Sequence, residues 1–294
     1  MRSSTGSATS SSSSPPRVSV DPARVGRDGA LALGVERRGA ANVVTRCRST
    51  LPLQVLAPVA LDDPAAVVSV LNPTGGLLGG DRLAIEAEVG PCAHACLTTP
   101  SAGRVHRTEG EPAVQTVALR LGRRAILEWV PDHTIPAAGS AFRQAIDVEL
   151  DDGATLILLD AFAAGRIARG EAWRFALLDG ALRIRDRRGW LLHDRFVLGG
   201  GSAAAGLGFA EGHPYFATVA LVADSGLERF TAEARRAIED VEGARGGVAA
   251  LARRGAVVRC LAASAPALTG LLDALWAAAR RELLGLPPLA LRKP

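Results

Sequence analysis

The chain has 294 residues, of which 48% are hydrophobic, so it is long enough to bury a sizeable core. Charged residues, glycine or proline interrupt every apolar run before the roughly 18 residues that a membrane helix needs, which predicts a soluble protein without membrane contact. The formal charge of +4 comes almost wholly from arginine, because Lys293 is the one lysine. These arginines are scattered among acidic residues and aromatic residues make up only 4%, a pattern that disfavours nucleic-acid binding.

The first residues of the chain predict a tail rather than part of the fold. Met1–Pro16 is almost all Ser, Thr, Gly, Ala and Pro and has no apolar h-region, so we expect a disordered tail over residues 1–17 and not a secretory signal. One domain is then expected over residues 18–294. The chain has 4 cysteines, which without an export signal predict reduced thiols and a cytoplasmic location.

A strand pattern fills the chain from Ala30 to about Phe196. Runs of five to nine residues alternate in polarity or are rich in Val, Leu and Ile, and Gly, Pro or Asp separate them. No segment with helical period lies between these runs, so parallel βαβ units are disfavoured and a large antiparallel or stacked β-body is favoured. The predicted strands are Ala30–Arg38, Asn42–Arg48, Ala66–Leu71, Arg82–Val89, His94–Thr99, Ala113–Leu121, Ala125–Val130, Phe142–Leu150, Thr155–Ala161, Ala172–Leu177, Leu182–Asp186 and Trp190–Val197.

The last third of the chain predicts two helices. Ser225 and Glu228 have the spacing of a capping box, which predicts a helix to about Val241. A loop over Gly243–Gly247 and a strand over Ala256–Ala262 should follow. Ser264 then caps a second helix with a 3.6-residue apolar stripe, which ends at Gly285. The fold class is therefore mainly β, a large body of stacked sheets with two α-helices in the C-terminal third.

The glycine-rich segment Asn72–Arg82 could hold a phosphate, but its pattern does not fit a nucleotide site. It lacks the Gly-Lys-Ser/Thr ending of a P-loop and the Gly-x-Gly-x-x-Gly spacing of a dinucleotide site, and a strand rather than a helix follows it. Glycines that adopt positive φ in a sharp turn are the better interpretation. Ser101 lies near His106 and Glu109 in sequence, but the Gly-x-Ser-x-Gly pattern of a nucleophile elbow is absent. A β-rich hydrolase is therefore the less favoured alternative.

Two segments carry candidate metal ligands. Cys92, His94 and Cys96 alternate along a predicted strand, but ligands about 6.6 Å apart cannot all reach one tetrahedral zinc ion without a bulge, so small buried side chains are favoured. Glu128, Asp132 and His133 cluster where a strand ends and suit transient binding of a divalent ion such as Ni²⁺. The alternative interpretation is an Asp-containing turn with a surface histidine.

Taken in order, several segments resemble the urease accessory protein D family. They are Pro73-Thr-Gly-Gly-Leu-Leu-Gly-Gly-Asp-Arg82, Ala93-His-Ala, Thr98-Thr-Pro-Ser-Ala, Leu127-Glu-Trp-Val-Pro131, Gly165-Arg166 with Gly170-Glu171, and Leu275-Trp-Ala. The resemblance spans about Leu31 to Leu289 and implies two stacked sheet layers resembling a β-helix, with two helices. The chain departs from the family pattern at Gly103–Arg107 and at Asp132-His133, and Cys92 and Cys96 are peculiar to it.

The resemblance also implies a function and a set of residues. Such proteins are not enzymes; they form a complex with accessory protein F and the urease GTPase (accessory protein G), dock on the urease apoprotein, and pass nickel through a polar channel. On that basis the residues expected along a transient nickel path are Asp81, Glu128, Asp132, His133 and Glu171, with Arg166 lining the channel. No tightly bound cofactor is expected. A structural adaptor that recruits the GTPase without handling nickel is the alternative.

Overall fold

Strands alternate between two sheets through most of the chain. The structure is a computed structural model that describes residues 26–56, 61–201, 205–206 and 208–291. The predicted tail at residues 1–17 lies outside the described residues. The described strands, in chain order, are β1 Asp28–Arg38, β2 Ala41–Ser49, β3 Gln54–Val55, β4 Ala66–Leu71, β5 Arg82–Val89, β6 His94–Thr98, β7 Gly103–Val105, β8 Ala113–Leu121, β9 Ile126–Val130, β10 Thr134–Pro136, β11 Ala141–Leu150, β12 Thr155–Ala163, β13 Leu177–Asp186, β14 Gly189–Gly199, β15 Tyr215–Val222, β16 Ala244–Ala250 and β17 Gly255–Ala262.

The first sheet has the strand order β14-β13-β11-β8-β5-β1-β2, and the second has β16-β17-β15-β12-β9-β6-β4-β3. The strands β5, β8, β11 and β13 are parallel neighbours in the first sheet, and β4, β6, β9 and β12 are parallel neighbours in the second. Each coil of the chain therefore adds one strand to each sheet, as in a β-solenoid. Antiparallel hairpins close the stack, β1 with β2 at one end and β13 with β14 at the other.

Side chains of each strand point alternately to two faces, so the second sheet separates two apolar layers. The inner layer lies between the sheets and contains Leu127, Trp129 and Leu158. The outer layer lies between the second sheet and the helices and contains Cys96 and Val130. The second sheet is consequently buried on both faces, which explains why β6 is buried at every residue.

Two helices cover the outer face of the second sheet. Helix α1 spans Leu227–Asp240 and helix α2 spans Ala265–Ala279, after which a π-helical turn runs through Arg280–Leu284. The Ser264 hydroxyl accepts a hydrogen bond from the Ala267 amide at 3.2 Å, which confirms the predicted cap of α2. The mainly β class with two late helices is likewise confirmed.

The predicted capping box at Ser225 is wrong. The N-cap of α1 is Gly226, with φ of +84°, and no side chain caps the helix. A Cβ atom at Gly226 would lie 2.1 Å from the Glu282 carbonyl oxygen. The close packing of α1 against the π-helical turn therefore selects glycine at this position, and the N-cap lies one residue after the predicted Ser225.

Three other local predictions are wrong. The break predicted between Leu177 and Leu182 lies inside β13, where Gly180 leaves room for the Phe196 ring, 2.4 Å from where a Cβ would be. The strand predicted over Ala172–Leu177 does not exist; β13 begins at Leu177. The predicted loop Gly243–Gly247 mostly belongs to the edge strand β16.

The glycine-rich segment before β5 forms the sharp turn that its glycines predict. Gly75, Gly76 and Gly80 all have positive φ, and a Cβ at Gly76 would lie 2.7 Å from the Arg104 carbonyl oxygen. The turn is thereby pressed against β7, where the Leu77 amide donates to that same carbonyl at 2.8 Å.

Neither α1 nor α2, the two α-helices of the described residues, has the length and apolar character of a membrane-spanning helix.

Candidate functional site

A cavity of about 290 Å³ lies between the two sheets, beside the glycine-rich turn and the β6–β7 connection. We call it the inter-sheet cavity. Both sheets contribute to its wall: Gln115, Phe142 and Gln144 come from the first sheet, and Trp129 and Asp160 from the second. Its wall combines apolar and polar side chains. Gln115, Gln144 and Asp160 are thus polar side chains beside the apolar residues of the inner layer.

Asp160 is the carboxylate that the fold places inside this cavity. Its position in β12 has the same parity as Leu156, Leu158 and Phe162, all in the inner layer, so its side chain points between the sheets. The Gln144 amide donates to Asp160 Oδ1 at 2.8 Å, and the Gln115 amide donates to Gln144 Oε1 at 3.1 Å. The side-chain amides of Gln115 and Gln144, both in the first sheet, thus form a chain of hydrogen bonds that ends at the Asp160 carboxyl group in the second sheet.

The surroundings of Asp160 favour its protonated form. Burial raises the pKa of Asp160 to about 7 from an ordinary 3.8, against the lowering effect of the Gln144 hydrogen bond, and the charge of Asp194 adds to the rise. By surface area Asp160 is half-buried, and it lines the inter-sheet cavity. Asp160 therefore has a carboxyl group whose pKa lies near neutral pH.

Two further polar groups lie at the cavity wall. The Trp129 indole N–H is buried and has no acceptor among the described residues. The Asp132 backbone amide donates to the Thr99 hydroxyl at 2.8 Å, which fixes the loop where β9 ends. Asp132 and Thr99 both line the cavity. The cavity thus has a carboxylate at its edge as well as one between the sheets.

Glu128 lies on the other side of the same sheet. It is the chain neighbour of Trp129, so its side chain points away from the cavity and towards the helices. It is fully buried and accepts hydrogen bonds from His94 Nε2 at 2.8 Å, from Trp276 Nε1 at 2.6 Å and from Arg280 Nη1 at 2.5 Å. Burial raises the pKa of Glu128, but the hydrogen bond from His94 and the charge of Arg280 outweigh it and hold that pKa below its ordinary value.

Arg280 extends this network to a second carboxylate. Its guanidinium is fully buried and also contacts the Asp63 carboxylate, and its Nε donates to the Pro287 carbonyl at 2.9 Å. One cation therefore ties β9, the residues before β4 and the segment after α2 together. We call Asp63, His94, Glu128, Trp276 and Arg280 the buried ionic cluster. Its geometry supplies structural support for the helices.

The remaining predicted residues occupy separate positions. Asp81 is buried in the glycine-rich turn, where it accepts from the Leu78 amide at 2.7 Å and from Arg27 Nε at 3.2 Å. His133 lies beyond the cavity and contacts the Tyr215 ring edge-on, with centroids 5.9 Å apart. Asp132 is the only one of the five predicted nickel-path residues that lines the inter-sheet cavity within the described part of the chain.

Arg166 and Glu171 form a bidentate ion pair, with Nε–Oε2 at 2.7 Å and Nη2–Oε1 at 2.6 Å. The Ala138 amide also donates to Glu171 at 3.1 Å. The hydrogen bonds from Arg166 hold the pKa of Glu171 below its ordinary value. Arg166 lines a second cavity, next to the first.

The structure does not bring the predicted ligands together. In the described part of the chain, no group of three or more His, Cys, Asp or Glu side chains is placed to hold a metal ion. Cys92 lies in a turn with φ of +57° and is exposed, whereas Cys96 is buried in the outer layer, so the Cys-His-Cys alternation does not form one face. Whether any predicted residue contacts nickel stays a prediction.

Sequence reasoning missed Asp160, Gln144 and Arg280. One signal was present for Asp160, since it is a single acidic residue inside the apolar run Leu156–Ala164. An acidic residue in such a run needs a partner or a function. Arg280 gives no such signal, because its partner Glu128 lies 152 residues away in sequence.

Comparison with known proteins decides the family. The sequence model of the family described as UreD urease accessory protein matches residues 27–294. The chain belongs to this family. Among its relatives, the urease accessory protein UreD of Alkalilimnicola ehrlichii is 34% identical over 278 residues, which is 93% of each chain. That of Deinococcus radiodurans is 35% identical over 271 residues, or 91% of this chain and 95% of the relative.

The UreD match confirms the resemblance that the ordered motifs predicted. It covers the glycine-rich turn, the inter-sheet cavity and the buried ionic cluster. A shorter match, to the urease accessory protein UreD of Delftia acidovorans, is 40% identical over 167 residues, which is 56% of this chain and 53% of that relative.

We predict that Arg280→Met destabilises the protein by about 3–5 kcal/mol, because the Glu128 and Asp63 carboxylates would stay buried without their cation. Arg281→Met is the matched control: its side chain is 46% exposed and its ion pair with Glu233 is 4.0 Å long, so we expect a change below about 0.5 kcal/mol. Urea unfolding of both variants measures the difference. Equal stabilities would contradict a supporting role for the buried ionic cluster.

The pKa of Asp160 predicts a pH dependence of stability. Between about pH 4 and about pH 7 the folded state keeps a proton that the unfolded state has lost, so the free energy of unfolding falls as pH rises through this window. Asp160→Asn removes that titration. Over the same pH window, the free energy of unfolding of the wild type should therefore fall by up to about 4 kcal/mol more than that of the variant. Urea unfolding across this pH range tests it, with the exposed Glu239→Gln as control. Parallel profiles for wild type and Asp160→Asn would refute the assignment.

Proposed function

We propose that this chain acts in urease maturation as a non-enzymatic scaffold through which nickel reaches the urease apoprotein. Membership of the UreD urease accessory protein family supports the role in maturation. The observation that carries the nickel role is the inter-sheet cavity with the Asp160 carboxyl group inside it. The partners in this proposal are accessory protein F, the accessory GTPase and the urease apoprotein, and the place of action is the cytoplasm.

The chemistry of the cavity suits a passing cation rather than a stored one. Ni²⁺ takes carboxylate and water oxygens, and a site with few dispersed oxygen donors binds it weakly enough for release. Asp160 must lose its proton to ligate, so the cation competes with H⁺ near pH 7. A cage of cysteine thiolates would bind nickel too tightly for transfer.

Asp132 extends the proposed path towards the surface. It lines the inter-sheet cavity and also the groove between α2 and the C-terminal segment. A carboxylate at that place gives a cation a second oxygen ligand at the edge of the cavity. Stepwise exchange between two such carboxylates and water is the mechanism that we propose for entry or exit.

The adaptor alternative also has an observation in its favour. Asp81, Glu128 and Glu171 all pair with arginine, and an arginine beside a carboxylate repels a divalent cation and occupies its oxygens. If nickel never enters the chain, these ion pairs have a purely structural role and the protein recruits its partners through its surface.

Cells that express the urease operon separate the two functions. The gene is deleted and then restored as wild type, as Asp160→Asn or as Glu239→Gln, an exposed control on α1 that carries the same loss of charge. Because a neutral amide is a poorer nickel ligand than a carboxylate, we expect Asp160→Asn to lower urease-bound nickel by about tenfold at limiting nickel supply. Glu239→Gln should match wild type.

Co-purification with the urease apoprotein makes the result interpretable. Assembly intact with nickel lost supports the conduit. Full nickel loading by Asp160→Asn favours the adaptor instead. If deletion of the gene leaves urease fully loaded with nickel, the role in maturation is itself wrong.

A further inference from the structure

A second cavity, of about 450 Å³, opens beside the inter-sheet cavity. We call it the basic pocket and define it by Arg104, His106, Arg166, Arg169 and Tyr215. The short strands β7 and β10 pair in parallel and supply Arg104 opposite Ile135. The corner after β12 supplies Arg166 and Arg169. Three separate stretches of chain, with β15, thus meet around one concave surface.

The pocket has an excess of positive charge. Three arginines line it, and no aspartate or glutamate does within the described residues. Glu171 lies behind Arg166 and neutralises one of these charges. Arg169 is close enough to Glu171 to help lower the pKa of that carboxyl group. Two positive charges therefore remain uncompensated around the pocket.

Arg166 is held in place for a ligand. Glu171 binds its Nε and one Nη2 hydrogen, so three of the five guanidinium N–H donors remain. Gly165 keeps this corner tight: its φ is +147°, and a Cβ there would lie 2.3 Å from the Glu171 carbonyl oxygen. Because the ion pair fixes the plane of the guanidinium, a second anion would find its donors already oriented.

Arg104 differs from most arginines of the chain. Across the outer face of the first sheet arginines pair with carboxylates, as Arg183 does with Asp147 at 2.7 Å. The Arg104 side chain makes no ion pair or hydrogen bond with any described residue, and it is exposed. It lines both the basic pocket and the inter-sheet cavity. An anion bound by Arg104 would therefore sit next to the inter-sheet cavity.

The remaining wall indicates which anion fits. Val105, Ile135 and Ile167 give the pocket apolar surface, which suits an aliphatic stem below the charged group. Among the described residues of the wall, the aromatic side chains are Tyr215 and His106, so a nucleobase would have little to stack on. We propose that the basic pocket binds a carboxylate, a glutamate side chain presented by a partner protein, and so docks that partner beside the inter-sheet cavity.

Calorimetric titration of the purified protein with a tetrapeptide of two glutamates flanked by glycines tests the proposal at low ionic strength. We expect a dissociation constant of about 1 mM for wild type. Arg104→Gln and Arg169→Gln should each weaken binding by about tenfold, the loss expected for a charge-assisted hydrogen bond. Arg235→Gln on α1, an exposed arginine without an ion pair among the described residues, should bind as wild type does.

Several results would overturn the proposal. One is the absence of a heat of binding for wild type, and another is binding by Arg104→Gln that is as tight as by wild type. The others are a loss of affinity in Arg235→Gln as large as in the pocket variants, and equally tight binding of a peptide with glutamine in place of glutamate. If inorganic phosphate binds more tightly than the peptide, the carboxylate proposal is wrong and the ligand of the basic pocket is a phosphate group. The titration involves neither nickel nor urease, so a negative result leaves the proposed nickel role unaffected. Failure of the nickel role likewise leaves the basic-pocket proposal unaffected.

Discussion

The parallel, in-register stacking of coils is the constraint on which the rest of the structure depends. Once each coil gives one strand to each sheet, the two-residue period of a strand sorts neighbouring residues onto opposite faces. Glu128 and Trp129 are adjacent in sequence, yet one joins the buried ionic cluster under the helices and the other lines the inter-sheet cavity. A shift of register by one residue would exchange these two environments. Structure and proposed function both follow from that register.

Two kinds of carboxylate result from this sorting. Glu128 and Glu171 have arginine partners that occupy their oxygens. The His94 hydrogen bond and the Arg280 charge lower the pKa of Glu128, and the Arg166 hydrogen bonds lower that of Glu171. Asp160 has an amide partner in place of an arginine, and burial raises its pKa to about 7. Burying a carboxyl group without a positively charged partner costs free energy, so its presence there suggests a function. We propose that this function is the transfer of a metal cation, because a carboxylate oxygen can act as a ligand for Ni²⁺.

The sequence contains the strand pattern but not the contacts between distant residues. Alternation of polarity located β5 and β8 to the residue, because each has one face in the core. Pairs such as Glu128 with Arg280 depend on how α2 packs against the second sheet, and local sequence patterns do not predict that packing. The same limit explains Gly226, where contact with the Glu282 carbonyl, and not a local capping motif, fixes the start of α1. Asp160 was visible as an acidic residue in an apolar run, but its face became clear only with the fold.

The most direct test of the nickel path is anomalous diffraction at the nickel absorption edge, from crystals of the protein with its partners soaked in nickel. Our account predicts a nickel peak between the two sheets, within ligand distance of the Asp160 carboxylate, and its loss in Asp160→Asn crystals. Nickel peaks confined to the outer surfaces, or a peak in the cavity that persists in Asp160→Asn, would contradict it.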